Sequence, residues 1–125
     1  MNKFITTLLL TVSISTYGGA ALAHTEHGQP QHGGIVAEAG EAQFEIVAKE
    51  NKLTVFVTNH GAPVTTAGAS GKLTILAGNS KREIELKPDG ENRMAGPGSL
   101  QAKEKLLVSI QLPGKKPLQA RAVAK

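Results

Sequence analysis

Apolar and polar residues alternate with a period of two in short runs along most of the chain after position 35. Successive side chains of a β-strand point to opposite faces, so this alternation predicts strands that are buried on one face. The clearest runs are 43–49, 52–58, 72–76, 82–87, 106–112 and 117–124, with weaker ones near 35–37 and 92–95. No stretch of helical length has apolar residues at a spacing of 3.6.

Turn-forming residues separate these runs from one another. Glu50-Asn51 is short enough to close a tight hairpin, and the other connections are rich in Gly, Pro, Asn and Asp. About seven short antiparallel strands in roughly 90 residues are typical of an immunoglobulin-like sandwich, with a small barrel as the alternative. We therefore expect an all-β fold, a single immunoglobulin-like antiparallel β-sandwich over residues 35–125.

Residues 1–23 have the organisation of a secretory signal peptide. Lys3 supplies a positive charge, positions 4–17 are largely apolar, and Ala21-Leu22-Ala23 provides the small residues that precede a cleavage site. The apolar stretch contains threonines and serines and is too short to span about 30 Å of hydrocarbon comfortably as an anchor. We expect cleavage before His24, a periplasmic location and no membrane insertion of the processed protein.

The composition excludes several classes of protein. Removing 23 of the 125 residues leaves 102, the size of one ordinary domain. The chain has no cysteine, so disulfides, thiolate metal ligands and thiol catalysis are excluded. The formal net charge of +4 becomes +3 when Lys3 leaves, and the remaining basic residues are dispersed. With Phe44 and Phe56 as the only aromatic residues after position 23, this pattern argues against a nucleic-acid partner.

The histidines are the most informative candidate ligands. His24, His27 and His32 fall within nine residues of one another, and His60 follows a predicted strand. Neutral imidazole is a common metal ligand, and a Gly-rich segment such as 24–34, which we expect to be a flexible tail, lets several imidazoles converge. Without cysteine, the expected ion is a divalent transition metal: Cu, Zn, Ni or Co. The alternative is a solvated polar tail, with His60 as an ordinary turn residue.

Cleavage before His24 would create a chelating amino terminus. The new α-amine and the imidazole of His24 can bind one ion together, and a second imidazole from His27, His32 or His60 would complete a copper-type site. Whether His60 joins the amino-terminal histidines is left open by the sequence.

Several short motifs occur in an order found in a group of bacterial proteins. The motifs are His32-Gly33-Gly34 with Val36, then 44–47, 53–57, 61–64, and Gly68-Ala69 ahead of 73–78. This order resembles small periplasmic β-sandwich proteins and matching modules near the start of the adaptor subunits of heavy-metal efflux pumps. The resemblance spans residues 31–124 and carries over one site residue, His32. It implies a metal-resistance accessory, but the chain lacks the hairpin and barrel parts with which an adaptor bridges a pump.

Two functions follow from these observations. The first is a periplasmic buffer or carrier of a transition metal, working with the periplasmic part of a heavy-metal efflux or homeostasis system. The alternative is a non-catalytic interaction module that docks on an efflux adaptor or another envelope protein without binding metal. We do not expect an enzyme, because no catalytic signature is present and the segment 68–72 lacks the spacing and following helix of a phosphate-binding loop.

The protein isolated from the periplasm should have the intact mass of a chain that begins at His24, because cleavage is expected after Ala21-Leu22-Ala23. Mass spectrometry of the purified protein measures this directly. A mass that still includes the residues through position 17 would contradict both the predicted export and the chelating amino terminus.

Overall fold

The computed structural model describes residues 28–125, so the predicted signal peptide, His24 and His27 lie outside the described residues. Within that range there is no helix, and hence none long and apolar enough to cross a membrane. All eight runs predicted from the alternation are strands, and the nine strands of the described chain are β1 (Ile35–Ala39), β2 (Ala42–Lys49), β3 (Lys52–Asn59), β4 (Ala62–Pro63), β5 (Ser70–Ala77), β6 (Ser80–Pro88), β7 (Arg93–Pro97), β8 (Lys105–Gln111) and β9 (Leu118–Val123).

The strands form one antiparallel sheet that is nearly barrel-shaped. Their order is β1-β2-β3-β7-β6-β5-β8-β9, with β4 paired to the end of β3. β6 joins the two halves, because its residues 80–86 pair with β5 whereas Lys87 and Pro88 pair with β7. The outermost strands, β1 and β9, come into contact without being hydrogen-bonded neighbours. The all-β antiparallel class is therefore confirmed, and the immunoglobulin-like sandwich is not.

The tight hairpin between β2 and β3 forms where the sequence predicts it. Lys49 pairs with Lys52, so Glu50 and Asn51 are the two residues of the turn. Both have positive φ angles, 53° and 60°, as the central residues of a type I′ turn require. This turn sets the register in which the outward-facing residues of β2 and β3 meet.

Aliphatic side chains from both halves of the sheet fill its concave side. In β3, Leu53, Val55 and Val57 are fully buried, whereas Phe56 between them faces outward and is half-buried. Each buried side chain of this size contributes about 1.5–3 kcal/mol relative to exposure. The other fully buried apolar residues are Phe44, Ile46, Leu73, Ile75, Leu86, Met94, Val108 and Ile110.

The first and last strands both contribute buried alanines to the core. Ala37 and Ala39 in β1 and Ala120 in β9 are all buried in the core. Because an alanine occupies little volume, the two strands can approach closely without leaving a void between them. A larger residue at these positions would push β1 and β9 apart.

A buried carboxylate fixes the turn before β8. Glu104 accepts hydrogen bonds from the backbone N–H of Gln101 and from Arg82 Nη2, the latter at 3.0 Å. The bond from Gln101 and then the Arg82 guanidinium hold the pKa of Glu104 below its ordinary value, against the opposing effect of burial. The backbone of this turn also forms two 2.8 Å hydrogen bonds with Ala124, so it fastens the end of the chain beyond β9.

Glu104→Gln should lower the free energy of unfolding at neutral pH, because it removes the charge that the Gln101 N–H and Arg82 stabilise. A lowered folded-state pKa means that the carboxylate stabilises the protein above the unfolded-state value of 4.5, and that this stabilisation is lost as pH falls through the folded-state pKa. The stability difference between wild type and variant should thus be greatest near neutral pH and shrink in acid. Urea unfolding over a series of pH values measures it.

The control for this comparison is Glu85→Gln, which changes an exposed glutamate on β6. The free energy of unfolding of Glu104→Gln could instead stay below that of wild type by the same amount down to about pH 3, well below the usual pKa of a glutamate. That result would contradict a stabilising role for the ionised carboxylate.

Candidate functional site

An open cavity of about 440 Å³ lies against the outward-facing side of β2 and β3. Two of the predicted ligands, His32 and His60, line it together with the carboxylates Glu38, Glu41 and Glu45. We call it the histidine cavity. Its lining residues come from the segment before β1, from β1, β2 and β3, from the turns after β1 and β3, and from Asn92 just before β7.

His32 is held in place at this cavity by an aromatic contact. Its imidazole ring stacks on the Phe56 ring, with centroids 3.8 Å apart and an interplanar angle of 14°. Phe56 is available for stacking because the alternation of β3 turns its side chain outward. Stacking covers a face of the imidazole, whereas the two ring nitrogens lie on the edge and keep their lone pair and N–H for other partners.

A buried carboxylate holds the backbone around His32. Glu45 is only 4% exposed, and its two oxygens accept hydrogen bonds of 2.8 Å from the backbone N–H groups of Gln31, His32 and Gly34. Charge-assisted hydrogen bonds of this kind compensate a carboxylate for the loss of water. They explain how Glu45 can be buried without a basic side chain among its hydrogen-bond partners.

Residues 28–34, which we call the amino-terminal strap, therefore differ from the flexible tail predicted for them. Besides the three bonds to Glu45, the Gly28 N–H donates to Gln43 Oε1 at 2.9 Å. Gln43 and Glu45 are consecutive outward-facing residues of β2, and both have acceptor oxygens that reach the strap. Their polar side chains thus anchor a segment of backbone instead of facing solvent alone.

Glycine is needed at each of the two positions after His32, for a different structural reason. Gly33 has a positive φ of 71°, a conformation that glycine adopts without strain. A Cβ on Gly34 would lie 2.4 Å from the carbonyl oxygen of Ile46 and 2.8 Å from Val47 Cγ2, so no side chain fits there. The His32-Gly33-Gly34 motif is what allows the strap to turn and lie directly on β2.

His60 occupies the turn between β3 and β4 and is exposed. Its Nε2 lies 4.0 Å from Glu41 Oε2, across from the turn between β1 and β2. Within residues 28–125, no three His, Asp or Glu side chains lie close enough together to hold a metal ion. The described part of the chain thus supplies two imidazoles and nearby carboxylates to one cavity, but no complete set of ligands.

The four predicted ligands fall into two groups. His32 and His60 lie on the histidine cavity, whereas His24 and His27 precede the described residues. Gly28, the residue after His27, is bonded to Gln43, which itself lines the cavity. The chain therefore leaves the described region beside the cavity, and a common site for all four histidines stays a prediction.

Two residues of this site were not predicted from the sequence, Glu45 and Phe56. Glu45 is one of several glutamates at outward-facing strand positions, and Phe56 is one of several outward-facing residues of β3. The two are directly paired in the β2–β3 ladder. The only signal available in the sequence was that Phe56 interrupts the polar face of its strand.

No protein-family model, curated protein or solved structure matches the chain. The interpretation of the site therefore rests on the geometry of the histidine cavity and on the sequence.

Glu45→Gln should loosen the amino-terminal strap, because an amide keeps one acceptor oxygen but turns an NH₂ group toward backbone N–H donors. We expect the free energy of unfolding to fall by about 1–3 kcal/mol. The ring protons of His32 should also move downfield as the ring leaves Phe56. Urea unfolding and proton NMR measure the two effects. Glu38→Gln, an exposed change on the same cavity, is the control.

If the His32 ring protons keep their chemical shifts in Glu45→Gln, the stack on Phe56 does not depend on the carboxylate. The strap would then be held by other contacts.

Proposed function

We propose that the protein is a non-catalytic periplasmic accessory that binds a divalent transition metal, as a buffer or carrier linked to heavy-metal efflux or homeostasis. The observation that carries this proposal is the position of His32 and His60 on one cavity, although they are far apart in the sequence. His24 and His27 immediately precede the strap that runs along the same cavity. Export, cleavage before His24 and the link to efflux rest on the signal-peptide pattern and on the family resemblance.

The chemistry of the cavity suits an exchangeable ion. Imidazole nitrogens favour Zn, Cu, Ni and Co over the alkaline-earth ions, and a nearby carboxylate such as Glu41 can add an oxygen ligand. His32 and His60 are both exposed at the surface. Ligands in such positions leave coordination sites open to water or to a second protein, as a carrier requires, whereas structural zinc sites are closed by four ligands.

Glu45 and Phe56 hold His32 in position before any metal binds, so the proposed site is partly preorganised. A ligand whose backbone and ring are already positioned loses less conformational freedom when the metal binds. The other ligands would then close around His32 as a fixed point. The fold adds support for the family resemblance. The sheet has two halves that are joined through β6, and this organisation favours grouping the protein with the two-layered sandwiches that the resemblance implies.

The alternative is an interaction module that docks on an efflux adaptor or another envelope protein and binds no metal. It is favoured by a different region of the molecule, the outward face of β5, β8 and β9, where exposed aliphatic side chains lie beside Lys105 and Arg121, which form no ion pair within residues 28–125. Metal titration of the processed protein distinguishes the two functions.

The processed protein, beginning at His24, should bind one Cu(II) or Zn(II) ion, and His32→Ala and His60→Ala should each weaken binding by at least about tenfold, or ~1.4 kcal/mol. One residue added before His24 should also weaken Cu(II) binding, because it removes the α-amine from the chelate of amine and imidazole. Isothermal titration calorimetry measures all four proteins. Gln29→Ala, an exposed change within the strap, is the control.

Affinity should fall from about pH 7 to about pH 5, because protons compete with the metal for imidazole and amine nitrogens. The β-sheet circular dichroism spectrum should be the same with and without a chelator, since neither His32 nor His60 belongs to the buried core of residues 28–125. Equal titration curves for wild type, the extended protein and a His32→Ala, His60→Ala double variant would contradict the proposed site.

A further inference from the structure

A second surface lies on the outward face of β5, β8 and β9. Leu76 and Val123 are 41% and 54% exposed, and they are the only exposed large hydrophobic residues in the range 28–125. The two are not scattered, because Lys105 pairs with Leu76 in one ladder and with Val123 in the other. Leu76, Lys105 and Val123 thus form a single row across three strands.

The next row toward the centre of β8 continues this surface. Leu107 points the same way as Lys105, is half-buried, and pairs with Arg121 of β9. Together these residues border a shallow groove of about 410 Å³ whose walls are mostly apolar. We call the five residues Leu76, Lys105, Leu107, Arg121 and Val123 the outer patch.

The cations of the outer patch differ from their neighbours on the same face. Lys72 and Lys81 lie 3.7 Å and 3.1 Å from the two carboxylate oxygens of Glu83, so each has an ion-pair partner within the protein, although they share its single negative charge. In contrast, the structure of residues 28–125 gives neither Lys105 nor Arg121 an ion pair with a carboxylate. Lys105 and Arg121 thus lie beside the exposed aliphatic side chains without a carboxylate partner, and Lys81, which pairs with Leu76 and shares Glu83 with Lys72, adds to the positive charge of this face.

We propose that the outer patch docks a protein partner through an acidic and aliphatic segment. Carboxylates of that segment pair with Lys105 and Arg121, and its aliphatic side chains cover Leu76, Leu107 and Val123. The patch spans two strand spacings, about 10 Å, which one extended strand or one helix can cover. An apolar centre with cations beside it, an arginine among them, is a common composition for the core of a protein interface.

Two other occupants fit the patch less well, one because of its charge and one because of its composition. A second copy of this chain would bring the same two cations against each other across a symmetric contact, which like-charge repulsion opposes. Interfacial membrane binding usually relies on aromatic side chains together with basic ones. The outer patch has none, since Phe44 is buried in the core and Phe56 stacks on His32.

The proposal does not depend on metal binding. The outer patch lies on β5, β8 and β9, whereas the histidine cavity lies against β2 and β3. The two surfaces therefore share no residue. If the metal titrations show no binding, the docking proposal still stands. If no partner docks at the outer patch, the metal-binding proposal still stands.

In-cell photo-crosslinking tests the proposal with the full chain in bacteria that produce it. A photoreactive phenylalanine replaces the exposed Leu76, and crosslinked peptides are identified by mass spectrometry. We expect a discrete adduct with one other protein, attached within a segment that contains carboxylates and aliphatic residues. A Lys105→Glu, Arg121→Glu double variant should reduce the adduct at least about tenfold.

Two controls separate the patch from general charge effects. Lys115→Glu with Lys116→Glu makes the same change of net charge in the exposed β8–β9 connection and should leave the adduct unchanged. The photoreactive residue at Lys49, on the hairpin side of β2, should give no such adduct. If the double glutamate variant is poorly folded by circular dichroism, Lys105→Gln with Arg121→Gln replaces it, with the same expected loss.

The proposal is overturned by the absence of an adduct, by an adduct with a second copy of the chain, or by an adduct that the charge changes at Lys105 and Arg121 do not affect. Binding of the purified protein to phosphatidylglycerol vesicles that is lost in the double variant would assign the patch to a membrane instead and would also overturn it.

Discussion

A chain without helices in its described part and without cysteines can enclose its apolar side chains only by folding its sheet back on itself. With two aromatic residues after position 23, the core must be made from many medium-sized aliphatic side chains packed at close to crystalline density. β6 provides the change of partner that lets the sheet curl, pairing with β5 along most of its length and with β7 at its end. The two outermost strands, β1 and β9, come into contact, and each contributes buried alanines to the core.

This closure determines where chemistry is possible. Since the inward-facing positions are taken by the core, every candidate functional group lies on the outward-facing positions or in the turns. Glu45 differs from the other outward-facing glutamates, because it is nevertheless buried, with the amino-terminal strap bonded over it. Three backbone N–H groups of the strap donate to its carboxylate in place of water. These bonds hold the strap on β2 and place the ring of His32 on Phe56.

The strands could be predicted from the sequence because alternation with period two is a local property, as is the turn at Glu50-Asn51. Whether the strands close as a sandwich or as a nearly closed barrel depends on the partner change in β6 and on the contact between β1 and β9. These involve residues distant in the sequence, so alternation does not encode them. β4 has two residues, too few for any periodicity. The position of His60 on the same cavity as His32 likewise depends on the β2–β3 register. The bonding of the strap to β2 was not predicted, because Gln43 and Glu45 have the pattern of ordinary solvent-facing residues.

The two candidate surfaces have opposite electrostatic character, which bears on how one small domain can carry both. Glu38 and Glu41 make the histidine cavity acidic and favourable for a cation, whereas Lys105 and Arg121 make the outer patch favourable for carboxylates. At physiological ionic strength, interactions between exposed charges are largely screened beyond about 8 Å. Each surface therefore acts through its own nearby charges rather than through the net charge of the protein. A metal bound at the histidine cavity would therefore change the electrostatic potential at the outer patch little, so metal binding and docking need not compete.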